Sequence, residues 1–124
     1  MNNFVKNLNV WQKSVVLVKD VYAIADLLPK MEEYNLCQQL RRSITSVPLN
    51  IAEGRNRKSK KEYAHFINIA IGSLGEVEAI LVLCEELNYF TVGSEFELKI
   101  NEVQKMLGAL YRAIKSKAAE NPKC

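Results

Sequence analysis

Apolar residues recur at three- and four-residue steps along almost the whole chain, and no stretch alternates with period two for long enough to build a strand. That spacing confines the chain to helices with one apolar face each. A first helix is predicted from about Val10 to Leu28, with Trp11, Val15, Val18, Val21 or Tyr22, Ala25 and Leu28 inward. Pro29 ends it, because proline disfavours helical geometry in the preceding residue and offers no N–H. A second runs from about Glu32 or Asn35 to Arg57 on the stripe Leu36, Leu40, Ile44, Val47 and Ile51. Pro48 falls inside it and removes the bond to the Ile44 carbonyl, which predicts a kink rather than a break.

Ser59 then offers an N-cap, with Glu62 placed three residues on to complete a capping box. The third helix is predicted from there to about Asn88, through Tyr63, Phe66 or Ile67, Ala70, Leu74, Val77, Leu81, Cys84 and Leu87. At about 1.5 Å per residue it is roughly 45 Å long and sets the length of the domain. Asn88 suits the left-handed position at a helix end, and residues 91–94 read as a turn. A fourth helix, about Ser94 to Ala118, turns Phe96, Ile100, Val103, Leu107, Leu110 and Ile114 inward. Four long helices with short connections predict an all-α, antiparallel up-down four-helix bundle over residues 1–118, followed by a frayed tail over 119–124.

Composition agrees with one compact domain: 124 residues, 48% hydrophobic and 25% charged, with 5 Gly and 3 Pro, enough to bury a core without staples. The longest unbroken apolar run, Ala79 to Cys84, is far short of the roughly 20 residues of a membrane span. The first residues lack an apolar stretch with a cleavage site, so a cytoplasmic protein away from the membrane is expected. Cys37, Cys84 and Cys124 form no Cys-x-x-Cys pair; the first two sit within helical patterns as small apolar residues, and the third ends a polar tail.

Little here points to catalysis. His65 is the only histidine, and nothing near it builds a nucleophile–base pair. Glu62 and His65 have the Glu-x-x-His spacing of di-iron bundles, but no second such pair exists, so a metal site would need a second subunit. Gly72-Ser73-Leu74-Gly75 lacks the strand and Lys-Ser/Thr of a phosphate loop; glycines within a helix instead predict close approach by a neighbouring helix. No catalytic residue, metal, cofactor or small-molecule substrate is therefore expected.

Charge is more informative. The net charge is +3, yet residues 39–61 carry seven basic side chains, Arg41, Arg42, Arg55, Arg57, Lys58, Lys60 and Lys61, against the single acid Glu53. Five of them crowd into residues 55–61, at the joint between the second and third helices, where phosphate contact is the natural use. Nearby aromatics are few, Tyr63 and Phe66, so little base stacking is expected. Arg42, Ser46, Asn50, Glu53 and Arg57 also recur as a polar stripe, answered on the third helix by Glu62, Ser73 and Glu76. This stripe reads either as a solvated face or as a network or subunit contact in which Glu53 and Glu76 pair with Arg41, Arg42 or Arg57.

Several blocks together resemble a known family: Phe4-x-x-x-Leu8-x-Val10-Trp11, Tyr34-x-Leu36-x-x-Gln39-Leu40-Arg41-Arg42, Ser46-Val47-Pro48-x-Asn50-Ile51-Ala52-Glu53-Gly54, Phe66-x-x-Ile69-Ala70-x-Gly72-Ser73-x-x-Glu76 and Leu87-Asn88-Tyr89. The chain is similar over nearly its whole length to the 23S rRNA intervening sequence proteins, also labelled S23 ribosomal proteins. Arg41, Arg42, Asn50, Glu53, Gly54, Arg57, Glu62, Gly72, Ser73 and Glu76 fall on signature positions of that family. The resemblance implies a bacterial cytosolic four-helix bundle that assembles as a homopentamer, with a related branch serving reverse transcriptases as accessory proteins. It leads us to expect a non-enzymatic protein that binds nucleic acid, RNA before DNA, through the basic joint, with Arg41 and Arg42 adding field or subunit contacts. Asn50, Glu53, Gly54, Glu62, Gly72, Ser73 and Glu76 are then structural or subunit-contact residues. The alternative is an oligomeric scaffold whose partner is another protein.

Overall fold

The computed structural model describes residues 3–120. A single turn, α1 (Asn3–Lys6), leads into α2 (Asn9–Ala25); a 3-10 turn at Lys30–Glu32 precedes α3 (Leu36–Arg55), α4 (Lys60–Glu86) and α5 (Ser94–Glu120). Among the described residues there is no strand. Each long helix packs on its neighbour in the chain and α2 closes on α5, so the four form an antiparallel up-down bundle, with α3 against α4 its most extensive contact. The predicted tail falls partly outside the described residues, as does Cys124, and α5 itself runs two residues past the predicted end.

The inward stripes of α3, α4 and α5 are those the periodicity gives, except that Leu87 lies just past the end of α4 and is exposed. Leu40, Ile44, Val47, Ile51, Ile67, Ala70, Leu74, Val77, Cys84 and Leu107 are all fully buried. On α2 the first part of the stripe is rotated by one residue, with Val10, Ser14 and Leu17 facing the core while Trp11 and Val18 only border it; Val21 and Ala25 are buried as the spacing gives. Ser14 tolerates the interior because its hydroxyl donates to the Trp11 carbonyl at 2.7 Å. A serine in a buried stripe breaks the apolar pattern, so the valines one residue on give the stronger periodic signal.

Local chemistry sets the helix ends. After Pro29 the chain takes its 3-10 turn, so of the two expected starts it is Asn35 that takes the N-cap of α3, which begins at Leu36 and runs unbroken through buried Pro48. Ser59 caps α4, its Oγ accepting from the Glu62 N–H at 3.1 Å. At the far end Asn88 adopts φ 61°, and the Tyr89 and Asn88 N–H groups return to the Cys84 and Glu85 carbonyls at 3.0 and 2.9 Å. That is a Schellman closure, with Asn88 in the left-handed position. α4 and α5 have 27 residues each, about 40 Å by the helical rise, so the two together set the length of the bundle.

By length and composition α4 is long and apolar enough to cross a membrane, although its unbroken apolar run is short. Polar residues interrupt the run without lowering the average much. One face of α4 is buried between α3 and α5. Its outer face is also partly apolar, with Ile69, Val82 and Leu83 exposed.

Candidate nucleic-acid interface

Helices α3 and α4 are joined by residues 56–59 alone. The joint is this short because the two helices nearly touch there. A Cβ placed on buried Gly54 would lie 2.9 Å from Phe66 Cβ, 3.0 Å from Tyr63 Cδ1 and 3.2 Å from the Tyr63 carbonyl oxygen. Only glycine admits that approach. The last turn of α3 then tightens, with the Asn56 N–H on the Ala52 carbonyl at 3.3 Å and the Arg57 N–H on the Gly54 carbonyl at 3.1 Å. This folds the joint over the start of α4.

The basic residues of the joint differ sharply in what they touch. Arg57 pairs with Glu53 one turn back at 2.5 Å, as the stripe suggested, and its guanidinium carbon lies 4.7 Å from the centre of the Phe66 ring. Arg55 lies close enough to Tyr63 for its charge to act on the phenol. Burial raises the Tyr63 pKa above its ordinary 10.0, and the nearby Arg55 cation pulls it partly back. Lys58 and Lys61 are exposed, Lys60 half so, and none of the three has an ion-pair partner among the described residues, where Lys13, Arg41, Arg57 and Lys99 each have one.

Lys60 and Lys61 are moreover the first two residues of α4. A helix N-terminus carries the positive end of the macrodipole and unpaired N–H groups, so cations there cost about 0.3–1 kcal/mol each at low ionic strength. The same two features make it a seat for an anion. Stability alone would place acids at these positions.

The bundle topology adds cations that a local reading of the sequence misses. Gln104 Nε2 donates to Glu78 Oε1 at 3.0 Å, which marks the antiparallel register of α5 on α4. In that register Arg112, Lys115 and Lys117 run toward the end of the bundle where α4 begins. Only the pairing of α4 with α5 reveals them, although the charges themselves are plain in the sequence.

Arg41 and Arg42, by contrast, do not reach the joint. They sit about 20 Å along α3 from Arg55 by the helical rise. Arg41 is engaged at the other end of the bundle, 3.0 Å from Asp26 Oδ1 and with its guanidinium carbon 5.6 Å from the Tyr22 ring centre. Arg42 lines a polar groove between α3 and α4 with Gln39, Ser43, Ser46, Ser73 and Glu76. Here the polar stripe is an interhelical ladder. Ser43 Oγ donates to Glu76 Oε2 at 2.7 Å, the Ser46 and Ser73 hydroxyls are 2.8 Å apart, and Asn50 Nδ2 donates to the Ser46 carbonyl and Oγ at 2.7 and 2.8 Å. Glu76 thus takes a serine rather than an arginine, and both it and Glu53 are exposed.

Gly72 and Gly75 overturn the close-packing expectation: both face outward, and a Cβ on either meets nothing within 4 Å. Period alone does not tell a glycine on the packed face from one on the open face when the stripe is this wide. Glu62 contributes its N–H to the cap, and its side chain is exposed, as is that of His65. Among the described residues no three His, Cys, Asp or Glu side chains converge as a metal site would need.

Residues 6–109 match the family described as 23S rRNA-intervening sequence protein. No curated protein matches significantly. Among solved structures, a protein of unknown function from the S23 ribosomal protein family of Bacteroides thetaiotaomicron VPI-5482 superposes with a TM-score of 0.73. It is 23% identical, and the match covers 83% of this chain and 95% of that one. At that identity the likeness speaks for the fold.

Proposed function

Because the chain belongs to the 23S rRNA-intervening sequence protein family over residues 6–109, we propose that it is a non-enzymatic, cytoplasmic nucleic-acid-binding protein. Its ligand is structured RNA in preference to DNA, met at the α3–α4 joint. One observation carries the reading: Lys58, Lys60 and Lys61 lack ion-pair partners among the described residues, and two of them stand where the helix dipole disfavours cations. A phosphate at that point would meet lysine charge and helix N–H groups together. Assembly into a homo-oligomer, a pentamer by family resemblance, would repeat the joint and turn weak contacts into one avid surface.

The test is affinity for a structured RNA and for duplex DNA across a salt series. Engagement of Arg55, Lys58, Lys60 and Lys61, with the Arg57 charge already answered by Glu53, gives a log–log slope of roughly −2.8 on single strands and −3.6 on B-DNA. Changing the five to Gln should abolish binding with helix content intact. Undiminished affinity in that variant would refute the assignment.

A second reading has its own support in the exposed Ile69, Val82 and Leu83 on the outer face of α4. On this view the chain is an oligomeric scaffold or accessory protein for a protein partner, such as a reverse transcriptase or ribosome-associated factor. Co-purification that survives nuclease but is lost on substitution of Glu53 or Glu76 would favour it.

A further inference from the structure

We propose that Arg57, Phe66 and His65 form a stacking platform for one unpaired nucleobase, placed beside the lysines of the joint. The inference rests on the reading that the joint meets a polynucleotide, and it supplies what that reading lacks: a means of telling an open strand from a closed duplex. Sequence alone gives no hint of it, because Arg57 lies across the joint from His65 and Phe66, and Phe66 counts there only as one of two nearby aromatics.

The geometry assembles them tightly. Gly54 lets Phe66 Cβ pack against α3, which fixes the root of the ring. His65 meets the ring edge-on, with centroids 5.5 Å apart and planes at 70°. Arg57 lies over the ring at 4.7 Å from its centre, and its Nη2 donates to Glu53 Oε1 at 2.5 Å. Pairing with Glu53 makes Arg57 a poor phosphate ligand, since its charge is already answered. The same pairing makes it a good stacking surface. A planar cation held by a ring and a carboxylate has lost its freedom before any ligand arrives, so less is lost on binding. Some 40% of the Arg57 side chain remains exposed, and His65 is exposed as well.

Unstacked bases are taken up on arginine planes and on histidine or phenylalanine rings, and every base offers a π face. Lys61 is about 8 Å from Phe66 along the axis of α4, so a strand whose backbone is held by the lysines has a base within reach of the platform. A duplex keeps its bases stacked on one another and gains only the phosphate contacts.

The test uses the full chain and a short oligonucleotide bearing one 2-aminopurine, presented single-stranded and paired with its complement, in RNA and DNA forms. The single strand is expected to bind more tightly than the duplex and to change 2-aminopurine fluorescence on binding. Phe66→Leu, which keeps the apolar packing, and Arg57→Lys, which keeps the charge, should each weaken single-strand binding roughly tenfold. Duplex affinity and the salt slope should stay as in the parent. Circular dichroism and melting confirm that both variants fold.

Parental single-strand affinity in both folded variants, or an unchanged fluorescence signal, overturns the platform. A loss confined to RNA assigns the effect to the ribose and also overturns it. The triple change Lys58→Gln, Lys60→Gln and Lys61→Gln separates this inference from the reading beneath it. If that variant binds as the parent does, the joint is wrongly assigned, and the response to Phe66→Leu still decides the platform.

Discussion

The two ends of the bundle solve opposite problems. At the end formed by the α2–α3 and α4–α5 connections, several polar side chains are answered within the chain. Buried Glu32 accepts from the Tyr89 hydroxyl at 2.6 Å and from Asn35 Nδ2 at 3.2 Å, Arg41 takes Asp26, and Asn88 closes α4 through its own backbone. Burial raises the Cys84 thiol above its ordinary 9.0, and the Glu32 charge raises it further. At the α3–α4 end the helices are pinned just as closely, by Gly54, yet three lysines are left unanswered on top. Both ends are pinned by close local contacts, but the joint carries three neighbouring lysines without ion-pair partners among the described residues, and on the function proposed here that end is the one that meets a ligand.

Charge reversal at the joint should produce the largest effect. Lys60→Glu with Lys61→Glu puts acids into the first turn of α4, where the dipole favours them, so the folded state should gain roughly 0.5–1 kcal/mol at low salt. Nucleic-acid binding should meanwhile fall by about a hundredfold or more, since two phosphate contacts become repulsive. Urea unfolding and a binding titration on the same preparation read both. A variant that loses stability along with binding would erase the asymmetry, because the lysines would then be structural.

Gly54→Ala attacks what the two ends share. The added methyl has Phe66 Cβ and the Tyr63 backbone in its way, and an overpacked contact of this kind costs about 1–3 kcal/mol. Thermal unfolding should show a fall of several degrees. The fall should be accompanied by altered binding, because the joint is carried on that contact.

A smaller effect, read through pH, belongs to the other end. The hydrogen bond to Glu32 comes first among the causes that raise the Tyr89 pKa above its ordinary 10.0, followed by burial and the Glu32 charge. A group whose pKa is higher folded than unfolded stabilises the fold below the unfolded value and loses that contribution as pH rises through the folded one. Tyr89, Tyr63 and, from about pH 9, Cys84 all act in this direction, so stability should decline into the alkaline range. Tyr89→Phe should lower the melting temperature at neutral pH and flatten the decline above pH 10. An unchanged alkaline slope would mean that the brace between Glu32 and Tyr89 contributes nothing.

What was legible in the sequence follows the range of the interactions concerned. The α3 stripe, the Ser59 cap and the left-handed Asn88 are local, fixed by residues within about one turn, and all three are where the spacing puts them. The α2 stripe slipped because Ser14 is buried by a bond to its own backbone, which apolar periodicity cannot register. Arg41 and the joint are close in a charge count and far apart in space, since α3 carries them to opposite ends. The stacking of Arg57 on Phe66 and the basic end of α5 depend on how helices pair, and pairing is set by packing rather than by any one segment.

The least effect is expected at Gly72 and Gly75, and it bears on the face between the two ends. An exposed glycine inside a helix costs about 1 kcal/mol relative to alanine, and a Cβ at either position meets nothing in the chain. Gly72→Ala and Gly75→Ala should therefore each raise the stability of dilute protein by up to about 1 kcal/mol. Unfolding at low and at high protein concentration, with sedimentation at both, tests whether that gain holds. If it holds throughout, the glycines serve no contact and the outer face of α4 adds nothing to the contrast between the ends. If the gain turns into a loss only where the protein self-associates, the missing side chains make room for a second copy. The molecule would then have three surfaces with three uses: an end that braces the fold, an end left open to a ligand, and a side kept bare for its own kind.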